Sequence, residues 1–124
     1  MSSFTEPLTV TKIDSKTWRI ARAFRYYVGE EDSDDFIDVP EGFETDFASV
    51  PRPFWIIFPP DGKYTQSAVL HDYLYGTKGE NGKRSRKNCD DIFLEGMEVL
   101  SVPWLTRKTM YAAVRSFGWI PWKN

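Results

Sequence analysis

The sequence holds one cysteine, Cys89, and one histidine, His71, in 124 residues. A lone cysteine excludes an internal disulfide and a multi-thiolate zinc site. A lone histidine excludes a two-histidine metal site within one chain. Neither sign of charge is in surplus: 16 Lys and Arg stand against 18 Asp and Glu, a net −2. That excludes a general nucleic-acid binder, which needs a basic excess to displace counterions from phosphate. No apolar run approaches the roughly 18–20 residues of a membrane span, and MSSFTEPLTV has neither the basic nor the apolar region of a secretory signal. A glycine-rich phosphate loop, a GxSxG elbow and an HExxH pair are all missing, as are repeats and low-complexity tracts.

What is present is apolar and aromatic. The apolar fraction of 41% and the aromatic fraction of 16% exclude a disordered chain, because such a composition can offset the entropy of ordering. The length fits a single domain spanning residues 1–124, expected to be compact, soluble and made in a reducing compartment.

The first half reads as β. From Trp18 to Val28 the residues alternate: Trp18, Ile20, Phe24, Tyr26 and Val28 share one side, with Arg22 the one misfit among them. Leu8–Ile13 precedes this run across a turn at Asp14-Ser15-Lys16, which predicts a hairpin. An acidic segment, Gly29–Asp35, interrupts before Phe36–Val39 resumes as a short strand ended by Pro40. Between Phe43 and Pro60, prolines at 51, 53, 59 and 60 forbid a continuous helix or a central strand, so this stretch reads as an ordered aromatic loop. The second half reads as α. Thr65 can cap a helix to Tyr75 stopped by Gly76; Gly79–Lys87 is a basic loop. Ser85 can cap a second helix to about Leu100, and a third fits Thr106–Phe117, closed by Gly118. Strands first and helices after give an α+β domain: an N-terminal antiparallel hairpin or small sheet, a proline-rich aromatic loop, then three C-terminal helices.

Polar residues that break these patterns are the candidate site. Projecting the first helix at about 100° per residue gathers Ala68, His71, Asp72 and Tyr75 on one side, with Val69, Leu70, Tyr73 and Leu74 on the other. A histidine beside a carboxylate can ligate a metal or act as a base with an orienting partner; it can equally be satisfied within the fold. On the second helix, Asp91, Glu95 and Glu98 form a solvated face. Asp90 projects instead to the margin of the apolar Cys89, Phe93 and Leu100 face, where a carboxylate needs a cation or a donor. Arg115 on the third helix, sharing a face with Tyr111 and Lys108, is one candidate, as a structural pair or as part of a site. Cys89 itself reads as packed rather than nucleophilic. In the segment Gly42–Arg52, Thr45, Asp46 and Ser49 suit backbone capping or can line a pocket with Arg52 as an anion partner. Arg84 and Arg86 in the basic loop can hold an anion, or the loop can meet the acidic Glu30–Asp35 stretch of another copy.

Four blocks of this chain, VPEGFETDFASVPR, AVLHDYLYG, SRKNCDDIF and MYAAVRSFGW, resemble in order and spacing the mostly phage-encoded family named domain of unknown function 1353. The resemblance covers roughly residues 36–119 and implies a phage or prophage source. It places Thr45, Asp46, Phe47, Ser49, Pro51 and Arg52 in the first block, His71, Asp72 and Tyr75 in the second, Asp90 in the third, and Tyr111 and Arg115 in the last. Where the family usually has Ala-Asp, Cys89-Asp90 stands here. The resemblance implies no activity, but it favours Asp46, His71, Asp72 and Asp90 meeting at one place. The HD pair invites comparison with HD phosphohydrolases, which need a further upstream histidine that this chain lacks.

Two expectations follow. One is a small phage hydrolase acting on cell-wall or nucleotide-type substrates. Its catalytic residues would be His71, Asp72 and Asp46; its substrate-binding residues would be Arg52, Arg84, Tyr75 and Ser49. Asp46, His71 and Asp90 would hold a divalent metal ion. The other is a non-catalytic virion or tail-associated component whose His/Asp cluster is a buried structural network. Its partners would be other phage structural proteins or copies of itself. Either would be made in the host cytoplasm, and the second would be incorporated in the virion.

Overall fold

The computed structural model describes residues 2–14, 17–47 and 64–123. The chain divides into two compact units, residues 1–46 and 47–124, and its strands precede its helices in an α+β arrangement.

The first unit holds six short strands: β1 (Ser3–Phe4), β2 (Val10–Lys12), β3 (Trp18–Ile20), β4 (Phe24–Tyr27), β5 (Phe36–Val39) and β6 (Glu44–Thr45). They form two antiparallel sheets ordered β1-β4-β5 and β2-β3-β6. The predicted hairpin is β2–β3, with Val10 opposite Ile20 and Thr17 N–H donating to the Asp14 carboxylate at 2.8 Å. The expected continuous strand from Trp18 to Val28 is instead two strands in different sheets, broken at residues 21–23. The reason is the misfit residue. Continuing the alternation would bury Arg22, whereas the break leaves it exposed and paired with Glu6 at 3.0 Å. Phe24, Tyr26, Ile37 and Val39 still turn inward as the alternation requires. The acidic segment is the tip of the β4–β5 hairpin, closed by Val28 N–H donating to Asp35 O. Two-residue strands at β1 and β6 add pairing that no alternation signals. Part of the stretch read as loop from Phe43 is therefore strand, and residues 48–63 lie outside the described residues.

The second unit holds α1 (Thr65–Gly76), α2 (Lys78–Gly82), α3 (Arg86–Val99), α4 (Trp104–Phe117) and α5 (Trp119–Lys123). Ser85 caps α3 as expected, accepting from Asn88 N–H. Tyr64, not Thr65, stands at the α1 cap position and gives no side-chain cap. Helix α4 begins two residues earlier than predicted, directly after Pro103, whose fixed φ suits a helix start. The basic loop contains α2, a single turn in which Lys78 to Gly82 all have φ between +53° and +94°. A left-handed turn is costly for side-chain-bearing residues. Here it is held by the Thr77 hydroxyl accepting from Glu80 N–H and by Arg84 gripping the Glu80 carboxylate at 3.0 Å.

Helix α1 packs on α3, and α3 on α4. Eight of the twelve α1 residues are buried, including Ala68, His71 and Tyr75 as well as Val69, Leu70 and Leu74. The expected division of α1 into an apolar and a polar face is thus corrected: both faces are inside, and the polar one is buried as well. Leu70, Leu74, Phe93, Met97 and Met110 are fully enclosed, each worth about 1.5–3 kcal/mol of burial. Ser67 Oγ donates to Phe93 O at 2.9 Å, tying α1 to α3.

Candidate functional site

Three helices converge on one carboxylate. Asp90, on α3, is fully buried. Its Oδ1 accepts from His71 Nε2 at 2.7 Å and from the Tyr75 hydroxyl at 2.6 Å, both on α1. Its Oδ2 accepts from Arg115 of α4 at 2.8 Å and from Arg86, one turn back on α3, at 3.5 Å. An ionised carboxylate can only accept, so the proton of this His71–Asp90 bond sits on Nε2. His71 has no exposed surface, and its ring lies 4.2 Å from Tyr75 and 4.6 Å from Phe93, centroid to centroid.

The electrostatics follow from burial against donors. Burial pushes the Asp90 carboxyl up, but the bonds from His71, Tyr75 and Arg115 outweigh it and hold the group below the ordinary carboxylate value. Burial and the neighbouring Asp90 charge push the Tyr75 phenol well above its ordinary range. Burial likewise lifts the Cys89 thiol to about 12, which fits its reading as a packed, unreactive side chain. A second, shallower cluster adjoins. Asp91 accepts from Tyr111 at 2.6 Å and from Lys87 at 2.8 Å, so the carboxylate expected on a purely solvated face is partly drawn into the α3–α4 contact.

The sequence candidates separate accordingly. His71, Tyr75, Asp90 and Arg115 meet. Asp72 is half-buried on α1, and Asp46 belongs to the first unit, where it is exposed. Arg84 is engaged by Glu80 at 3.0 Å and Asn88 at 3.4 Å. Ser49 and Arg52 lie outside the described residues. From the sequence Arg86 reads only as a loop cation able to hold an anion. It is the first residue of α3, and its guanidinium donates to Val114 O at 2.9 Å and Arg115 O at 3.2 Å. It therefore adds a charged donor to the carbonyls at the end of α4, where Val114 O also accepts from Gly118 N–H at 2.8 Å, while facing Asp90. The signal that could have found it is the four-residue spacing of Arg86 and Asp90 on one helix face.

Among the described residues, no group of three or more His, Cys, Asp or Glu side chains is placed to hold a metal ion. The chemistry of Asp90 agrees with that. Both of its oxygens face donors, two of them guanidinium groups. What the arrangement does is clamp α1, α3 and α4 through one shared charge.

The sequence signature described as "Protein of unknown function (DUF1353)" matches residues 18–114. The chain belongs to the DUF1353 family. This DUF1353 chain is also 38% identical over 82 residues to "Uncharacterized protein y4jT" of Sinorhizobium fredii (strain NBRC 101917 / NGR234), a stretch that covers 64% of this chain and 23% of the relative. The chain thus matches under a quarter of that relative's length. No solved structure matches the DUF1353 chain. No described helix is long and apolar enough to cross a membrane.

Proposed function

We propose that this DUF1353 protein is a non-catalytic component of a phage or prophage particle, made in the host cytoplasm and built into the virion. In this reading its His/Asp cluster fixes the helices and performs no turnover. The observation that carries it is the enclosure of the His71–Asp90 pair: neither side chain has exposed surface, and each Asp90 oxygen is met by protein donors. A general base must come within hydrogen-bond reach of the proton it abstracts, and a catalytic imidazole needs a concave opening for substrate. A His71 side chain with no exposed surface favours the structural reading over the hydrolase one. The phage source rests on the resemblance of the four sequence blocks.

The test combines stability and activity. Under the proposal, His71→Ala costs about 1–3 kcal/mol in urea unfolding, because it removes a buried hydrogen bond to the Asp90 carboxylate. The wild type hydrolyses neither peptidoglycan fragments nor cyclic or linear nucleotides, with or without Mn²⁺, Zn²⁺ or Mg²⁺, and the chain is found in purified particles. A wild type that turns over one of these substrates, beside a folded His71→Ala protein that does not, overturns the reading.

A further inference from the structure

Asn81-Gly82 is the one Asn-Gly pair in the sequence, and both residues are exposed. This dipeptide carries a reaction of its own. The Gly82 backbone nitrogen, unhindered because glycine has no side chain, can attack the side-chain carbonyl carbon of Asn81. The new N–C bond closes a succinimide ring, the side-chain amide C–N bond breaks, and ammonia leaves with the proton that the Gly82 nitrogen gives up. Water then opens the ring at either carbonyl. One opening yields aspartate with the chain path unchanged. The other yields isoaspartate, in which the chain runs through the former side chain and is one carbon longer.

The backbone of α2 decides when this can happen. Asn81 sits at φ +63° and ψ +38°, and that ψ turns its Cβ almost opposite the Gly82 nitrogen about the Cα–C bond. Ring closure needs the two on the same side, so the native turn holds the reacting atoms apart. The turn itself is latched from both ends. Asn81 N–H donates to Thr77 O at 2.8 Å and Arg84 N–H to Gly79 O at 2.9 Å. The Thr77 hydroxyl accepts from Glu80 N–H at 3.0 Å, and the Arg84 side chain holds the Glu80 carboxylate at 3.0 Å. Against this latch stands the positive φ of Lys78, Glu80 and Asn81, which is unfavourable for residues that carry a side chain. A short turn under such strain belongs to the segments that open while the rest of the fold stays closed.

We propose that Asn81 is a self-modification site, where spontaneous deamidation is held off by the left-handed α2 turn and proceeds when the Thr77–Glu80–Arg84 latch opens. The change runs one way. The extra carbon of isoaspartate lengthens the chain inside a turn that has no slack, since even a Cβ on Gly79 would overlap the Arg84 carbonyl. The isoaspartate chain therefore does not close the same turn again. The inference stands apart from the reading of the polar network: the turn behaves alike in an enzyme and in a structural protein, so the two fail separately.

The experiment incubates the full chain in neutral buffer at physiological temperature and follows Asn81 by peptide mapping with mass spectrometry, scoring aspartate and isoaspartate separately. A synthetic peptide spanning residues 77–84 gives the rate without the fold. The expected wild-type rate is at least about tenfold below that of the peptide, as for a segment that is open a small fraction of the time. Thr77→Ala and Arg84→Ala, each with the far-ultraviolet circular dichroism of the wild type, convert several-fold faster than the wild type. Arg84→Lys, which keeps the charge and loses the planar fork, also converts faster and is the variant to read if an alanine chain fails to fold. Three results overturn the proposal: a folded wild type that converts as fast as the peptide, folded latch variants that convert no faster than the wild type, or no conversion at Asn81 in any full-length chain.

Discussion

His71 and Asp90 are 19 residues apart in sequence and meet at 2.7 Å with no solvent contact on either side chain. Two helices are joined there by a bond that water cannot replace, so truncating either residue removes a partner that the other cannot regain from solvent. His71→Ala leaves Asp90 with Tyr75 and the two guanidinium groups. Asp90→Ala leaves His71 and Tyr75 without their acceptor and two arginines facing each other. The second is the greater loss, at about 3 kcal/mol or more, because removing one partner of a buried ion pair costs more than the pair contributes. Urea unfolding monitored by tryptophan fluorescence reads this as a lower midpoint at unchanged slope, with Asp90→Ala below His71→Ala.

The same carboxylate sets an acid limit. The Asp90 carboxyl titrates below its ordinary value in the folded chain, so between the folded and unfolded values the unfolded state binds more protons. The contribution of Asp90 is therefore complete above about pH 4, the ordinary carboxylate value, and is lost as pH falls through the lower folded value. The groups facing it, His71, Tyr75, Arg86 and Arg115, donate to the ionised form. Thermal midpoints measured from pH 6 down to pH 2 should fall for the wild type in this acid range. The Asp90→Asn protein, less stable at pH 6, should show a shallower fall. An equal slope in both would remove Asp90 as the cause.

Much of this network was legible in the sequence, and the reasons are specific. Asp90 stood out because a helix projection put a carboxylate beside Phe93 and Leu100, and burial with a cation is the only cheap outcome for that placement. Arg115 followed as a candidate from its face of α4. Arg86 is legible only as a loop cation, because its position just after the Ser85 cap reads as the end of a basic loop, and its carbonyl partners at Val114 and Arg115 belong to a distant segment. The break after Ile20 was announced by Arg22 but not drawn, since alternation alone cannot say whether a misfit residue is tolerated or ends the strand. The left-handed α2 turn was hidden for a similar reason. Glycines and Asn81 permit such a turn, but Thr77 and Arg84 hold it.

Three glycines test how tightly the second unit is built. A Cβ on Gly118 would overlap the Val114 carbonyl oxygen and the Tyr75 hydroxyl, and would crowd Arg86 as well. One on Gly79, where φ is +68°, would overlap the Arg84 carbonyl. Gly76, exposed at the end of α1, has open space around it. Gly118→Ala and Gly79→Ala should each cost about 2 kcal/mol or more, the scale of overpacking and backbone strain. Gly76→Ala should be neutral or add up to about 1 kcal/mol through helix propensity. Comparing the three by thermal unfolding separates close backbone approach from a general intolerance of substitution. Gly118→Ala should also disturb the Tyr75 hydroxyl, whereas Gly79→Ala acts at the α2 turn.

Cys89 reports on the same interior from another direction. Its side chain is fully buried on α3, and burial together with the adjacent Asp90 charge pushes its thiol to about 12. The thiolate is the reactive form, so at pH 8 the folded chain should present almost none of it, and no surface through which a reagent could reach it. Ellman's reagent should therefore modify Cys89 only as fast as α3 opens from α1 and α4. The rate should rise across the urea transition in step with the loss of tryptophan signal. His71→Ala and Asp90→Ala should raise it under native conditions, because the clamp they weaken is what keeps α3 closed. A Cys89 that reacts fully in the folded wild type within seconds would show the helices opening far more readily than this buried network allows.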